Sequence, residues 1–251
     1  MPEKLILAYS GGLDTSVAVR WLKEERGYDV VAVTVDVGMQ KDRETLHSRA
    51  LAAGAVAFRW AEAQAEFVRD FIFPALTAGA IYEGQYPLAT ALGRPLIAQR
   101  LVEAARQEGA TAVGHGSTGK GNDQVRFDVS VQALAPDLSI VAPVREWGMN
   151  REDEIAYAQK HQIPVPVTKE SPYSTDENLW GRSIECGVLE DPWTEPPEDI
   201  YEWTKSAAAA PEKAAYVEIG FQQGLPVSLD GRELDGVSLI GRLAEIAGEH
   251  G

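Results

Sequence analysis

Apolar and polar positions along this chain fall into two alternating patterns. Two short runs read as strands: the apolar Leu5 to Tyr9, and the β-branched Val30 to Val37, apolar enough to be buried on both faces. Between them Leu13, Val17 and Trp21 recur at i, i+4 and i+8, which predicts a helix over 14–25 that stops before Gly27. The alternation continues. A helix is expected over 43–53, a strand over 56–60, and a helical stretch over 66–80, bent at Pro74. A helix over 95–108 starts at Pro95, a strand covers 111–114, and another covers 139–142. Asn150 caps a helix to His161, with Glu152, Asp153 and Glu154 in its first turn.

Repeated strand-then-helix units predict an α/β fold with a doubly wound, mainly parallel sheet. From about Glu170 the texture changes to a proline-punctuated stretch. A hairpin (216–221 and 225–229) and a helix (237–247) follow it. The expected division is a nucleotide-binding domain over 1–170 and a second, incomplete α+β domain over 171–251.

Composition narrows the function. The 251 residues are 45% apolar, enough for a substantial core. The net charge of −15 disfavours nucleic-acid backbones and anionic membranes as partners. Cys186 is the only cysteine, which excludes an intrachain disulfide and fits a reducing compartment. Lys4 precedes only a short apolar run, so no secretory leader or membrane span is expected, and the localisation expected is cytoplasmic.

The chemistry concentrates in two glycine-bearing loops. The first is Ala8, Tyr9, Ser10, Gly11, Gly12, Leu13, Asp14, Thr15 and Ser16, a strand end running into a helix start. Glycines admit the close approach of an anion, and helix N-terminal N–H groups favour its charge. The loop lacks the Gly-Lys-Ser/Thr ending of a Walker A and the spacing of a dinucleotide fingerprint. It resembles the PP-loop of the N-type ATP pyrophosphatases, which split ATP between the α- and β-phosphates.

The second loop runs from His115 through Gly116, Thr118, Lys120, Asn122, Asp123 and Arg126 to Phe127. Its density of hydrogen-bonding types suits a zwitterionic ligand. Thr118 and Asn122 can bind a carboxylate, Asp123 an ammonium, and Arg126 can clamp a carboxylate. His115 reads as a packed, hydrogen-bonded strand-end histidine ahead of a general base. Lys120 reads equally as a phosphate ligand or a solvated lysine.

With Tyr82-Glu83-Gly84, Pro172-Tyr173-Ser174 and the run Cys186 to Trp193, these motifs resemble the argininosuccinate synthase family over the whole chain. That resemblance implies an adenine-nucleotide alpha hydrolase-like fold. It also implies ATP-dependent ligation of citrulline and aspartate through a citrullyl-adenylate, giving argininosuccinate, AMP and pyrophosphate. Magnesium arrives with ATP. By position, Ala8 through Ser16, Val35 and Gly116 hold ATP. Thr118, Asn122 and Asp123 hold aspartate, and Tyr86, Asn122, Arg126, Ser174 and Ser183 hold citrulline. Asp14, Asp123 and Arg126 are the candidate catalytic residues, with Asp14 open to two readings: an organiser of the loop or of hydrated magnesium, or a plain N-terminal helix carboxylate.

Three departures stand out against the family pattern. Ala91 replaces a citrulline-contacting serine, and Met39 replaces a glutamine. The family continues past residue 251 with further citrulline ligands and a C-terminal helix that ties a homotetramer. A fragment that binds ATP without turnover, or another PP-loop adenylating enzyme, are the competing expectations.

Overall fold

The computed structural model describes residues 2–165 and 173–251. Pro172 of the Pro-Tyr-Ser motif and the expected boundary near Ser171 lie outside the described residues. In chain order the elements begin β1 (Lys4–Ala8), α1 (Leu13–Arg26), β2 (Asp29–Asp36), α2 (Arg43–Ala53) and β3 (Ala57–Glu62). A broken helix follows: α3 (Gln64–Phe67), a π-helical turn (Val68–Ile72) and α4 (Phe73–Thr77). Then come α5 (Ala89–Glu108), β4 (Ala112–Gly114), α6 (Asp123–Leu134), β5 (Ser139–Val141), α7 (Pro143–Glu146) and α8 (Arg151–Lys160). The remainder is β6 (Ser174–Asn178), β7 (Gly181–Glu185), β8 (Ile219–Gln222), β9 (Leu225–Leu229), β10 (Arg232–Glu233) and α9 (Gly236–His250).

By contacts, Gln64–Thr90 groups with Tyr173–Gly251 as a second unit, and the remaining described residues form the first. The second unit therefore draws on two separated stretches of chain.

The first unit holds a five-stranded sheet in the order β3-β2-β1-β4-β5, with every pairing parallel. This is the expected doubly wound α/β arrangement. Leu5, Ile6 and Leu7 of β1, and Val30, Val31 and Ala32 of β2, are fully or almost fully buried, as strands covered on both faces require. The strand order reverses beside β1. The C-terminal ends of β1 and β4, whose last paired residues include Leu7 and Gly114, frame the crevice where such sheets take ligands.

Several helix ends match their local chemistry. Asp42 accepts the Thr45 N–H at the start of α2, and Asn150 and Asp153 form a reciprocal capping box on α8. Two expectations change. The helix expected from Pro95 begins six residues earlier, with Pro95 inside α5, where its ring removes one backbone donor without ending the helix. The tail of the second loop is the first turn of α6, so Asp123 and Arg126 stand one helical turn apart.

The second unit contains the β6–β7 hairpin and the three-stranded sheet β10-β9-β8. Helix α9 lies close on the π-helical turn and α4: a Cβ at Gly236 would fall 2.5 Å from Val68 Cγ1 and 2.7 Å from Phe73 Cζ. Among the described residues, no helix is long and apolar enough to cross a membrane.

Candidate active site

The first loop is held by the sheet before it turns. Tyr9 N–H donates to Val33 O at 2.8 Å, and Thr34 Oγ1 donates to Tyr9 O at 2.7 Å. The turn itself needs Gly11, whose φ is +73°. A Cβ there would lie 2.1 Å from Leu46 Cδ2, so α2 packs against the bare backbone. Gly12 is the N-cap of α1 and makes no side-chain cap bond. The first-turn N–H groups of α1 therefore lack a capping side chain, which suits an anion at this end.

The hydroxyls of the loop divide by burial. Ser10 is exposed; its Oγ sits 3.4 Å from Gly12 N and 3.1 Å from Thr15 Oγ1. Ser16 is fully buried, and its Oγ lies 3.2 Å from the Tyr9 hydroxyl, so it braces the turn from behind. Lys41 donates from Nζ to Ser10 O at 2.9 Å, placing a cation at the loop's rim. Val35 is buried in β2, and Met39 packs partly buried against the core.

Asp14 stands in the first turn of α1 and meets Glu154 of α8. Glu154 is buried, and its Oε2 has no hydrogen-bond partner. Burial first, then the charge and hydrogen bond of Asp14, push its carboxyl well above the usual range. In the sequence Glu154 reads only as a favourable helix-start charge.

The second loop touches the first. A Cβ on Gly116 would lie 3.0 Å from Thr15 Cγ2 and 4.0 Å from Asp14 Cβ, a separation that leaves little room for a side chain. His115 anchors this loop from within the core. Its Nε2 is 2.9 Å from Asp128 Oδ1, its Nδ1 accepts the Ser117 N–H at 3.2 Å, and its ring stacks on Phe127 at 5.1 Å. Because Nδ1 accepts, Nε2 carries the proton toward Asp128. Arg145 closes the network on Asp128 Oδ2 at 3.0 Å. This is the packing role read from sequence.

Burial holds the His115 imidazolium below its ordinary pKa, against the opposing pull of Asp128. The folded state thus binds fewer protons than the unfolded one just below the unfolded value. Its stabilisation is complete above about pH 6.5 and is lost as the pH falls below that. Thermal melts between pH 8 and 5 should show His115→Gln losing less stability on the acid side than the parent chain. An acid-side loss of equal size in both would contradict this placement.

Thr118, Lys120 and Asn122 are exposed on the loop, and Gln124 Nε2 ties back to Gly119 O at 2.8 Å. Asp123 is held on both oxygens: Arg94 Nε donates to Oδ2 at 2.9 Å and Arg126 Nη1 to Oδ1 at 2.7 Å. Arg94 carries no functional signal in the sequence alone. It lies 29 positions away in sequence, beside Pro95, and no local pattern links it to the loop.

The remaining expected residues lie in the second unit. Tyr86 bonds through its hydroxyl to Thr90 Oγ1 at 2.9 Å and accepts the Thr90 N–H at 3.1 Å. Ser174 pairs with Glu185, and Ser183 with Asp176, across the β6–β7 hairpin. That register sets both serines on one face. Ala91 is one turn before Pro95 in α5.

The arginosuccinate synthase N-terminal HUP domain model matches residues 4–164, and the C-terminal domain model matches residues 173–251. The argininosuccinate synthase of Symbiobacterium thermophilum is 61% identical over 250 residues, covering 99% of this chain and 62% of the relative. That of Rubrobacter xylanophilus is 60% identical over 250 residues, covering 99% and 61%. That of Dehalococcoides mccartyi is 55% identical over 251 residues, covering 100% and 62%. The chain thus spans about three fifths of the length of these curated relatives.

Proposed function

The chain belongs to the argininosuccinate synthase family, and from that premise we propose that it serves the ATP-dependent joining of citrulline and aspartate. The observation that carries this reading is the meeting of two loops at the C-terminal ends of β1 and β4, with Gly116 bare against Thr15. One loop offers an anion cradle. The other offers a carboxylate and guanidinium pair suited to an amino acid.

In this reading the loop from Ala8 to Ser16 binds the ATP phosphates, with Val35 and Gly116 lining the nucleotide. The ureido oxygen of citrulline forms a bond to the α-phosphorus, and the bond to the β-phosphate oxygen breaks. The N–H groups at the start of α1 stabilise the charge of the departing pyrophosphate. Magnesium bound with ATP would neutralise part of the phosphate charge beside the loop from Ala8 to Ser16. Aspartate's free amine then attacks the activated carbon, and AMP leaves with the former ureido oxygen.

Thr118, Asn122 and Asp123 hold aspartate in this scheme. Arg126, Asn122, Tyr86, Ser174 and Ser183 are the citrulline ligands in this reading. Positioning and electrostatics carry the rate, ahead of any single proton transfer. Residues 1–170 take the nucleotide role and 171–251 part of the synthetase role, in a cytoplasmic setting consistent with the single cysteine.

The test is an oxygen label. With ureido-¹⁸O citrulline, ATP, magnesium and aspartate, the AMP formed should carry the label. Unlabelled AMP would show that citrulline is not the adenylated acceptor. Absence of AMP from a folded chain would show that this chain does not adenylate citrulline.

A further inference from the structure

The two arginines on Asp123 differ in how firmly they are held. Arg94 reaches one carboxylate oxygen through both Nε and Nη2, each at 2.9 Å, and its side chain is 17% exposed. Its guanidinium also lies 6.0 Å from the centre of the Phe127 ring. Phe127 stacks in turn on buried His115, which Asp128 holds. Arg94 therefore ends a row of fixed groups.

Arg126 has a looser hold. It makes one contact to the other oxygen, from Nη1 at 2.7 Å, and its side chain is 32% exposed. It lies on the same helix as Asp123, three residues on, a spacing at which exposed ion pairs contribute little. An incoming carboxylate offers Arg126 an equivalent partner with two oxygens.

We infer that Arg94 is the fixed anchor of Asp123 and Arg126 its exchangeable partner, so that a substrate carboxylate drawing Arg126 away opens Asp123 to the ammonium of aspartate. The inference rests on the proposed function for the identity of the two substrates and adds a coupling between their sites. Arg94 is a positioning residue: it acts through Asp123. Coupling is reciprocal, so each substrate improves the other's binding by the same factor.

The experiment is calorimetric titration of L-aspartate into the 251-residue chain saturated with α,β-methylene-ATP, with and without citrulline. Citrulline should tighten aspartate binding about tenfold, within the usual range of intersite coupling. Arg126→Met should abolish that dependence while leaving aspartate binding in the absence of citrulline at least as tight as in the parent. Arg94→Met should weaken aspartate binding at least tenfold with nucleotide affinity unchanged, and Arg94→Lys should restore part of it. Arg94→Lys also serves as the test should the methionine variant fail to fold, judged by its thermal melt.

Aspartate binding by Arg94→Met within twofold of the parent would overturn the inference. So would an Arg126→Met chain that loses aspartate as badly as Arg94→Met, or a parent chain whose aspartate affinity ignores citrulline. A parent chain that takes the nucleotide but no aspartate at all would overturn the aspartate site itself, and this inference with it.

Discussion

Gly11→Ala should abolish ATP binding and destabilise the chain by about 2–4 kcal/mol, the sum of left-handed backbone strain and overpacking. The new methyl group would begin 2.1 Å from Leu46 Cδ2 at a residue with φ of +73°. Leu46 is 2% exposed, so its side chain cannot swing into solvent to make room. Either α2 shifts or the turn opens, and both displace the N–H groups of α1. Gly12→Ala is the internal contrast. Its Cβ meets only Ser10 Oγ, at 3.4 Å, and its φ of −76° suits any residue. Urea melts should place Gly12→Ala within about 1 kcal/mol of the parent, the cost of alanine at an N-cap. Equal melts for the two variants would show that the tight turn at Gly11 does not carry the loop.

Glu154→Gln should stabilise the chain at alkaline pH. The buried Glu154 carboxyl is pushed up from 4.5 to about 9 by burial and then by the neighbouring Asp14 carboxylate. Between those values the folded chain keeps a proton that the unfolded chain has lost. Stability therefore falls as the pH rises from about 4.5 through about 9. Glutamine supplies a hydrogen-bond donor to Asp14 at every pH and has no charge to bury. At pH 8 the gain should be on the order of 2 kcal/mol, the scale of relieving a poorly satisfied buried polar group. Melting temperatures from pH 6 to 9 should fall more steeply for the parent than for Glu154→Gln. Parallel curves would show that Glu154 does not hold its proton there.

Much of the first unit was legible because its signals are local. The apolar run of β1 and the β-branched run of β2 need only burial on both faces. The helix α2 falls on the expected residues 43–53, bounded by the Asp42 cap and Gly54 in left-handed geometry. The Asn150 cap could be read directly, whereas Asp153, its reciprocal partner, was expected only as a first-turn charge. Helix α6 was not legible. Val125, Val129 and Leu134 are exposed on it, while Phe127 and Val131 are buried, so its apolar residues blur the helical period. Its N-cap, Asn122, makes no cap bond. The β6–β7 hairpin hid for a different reason. Ser174 to Asn178 is polar throughout and pairs through its backbone, with no apolar alternation to announce a strand.

The candidate site divides along the same line. The glycine loop and the polar loop after β4 are contiguous in sequence and could be read. The contacts that tune them are not contiguous. Arg94 meets Asp123 across 29 positions, Glu154 meets Asp14 across two helices, and Arg145 meets Asp128 from the short helix α7. Those pairings depend on strand order, and no local pattern encodes them.

Calorimetric titration of magnesium-ATP into the folded 251-residue chain tests the central claim most directly. The account predicts saturable binding of one nucleotide per chain, lost in Gly11→Ala. A parent chain that melts cooperatively and yet binds no ATP would contradict the assignment of the loop from Ala8 to Ser16.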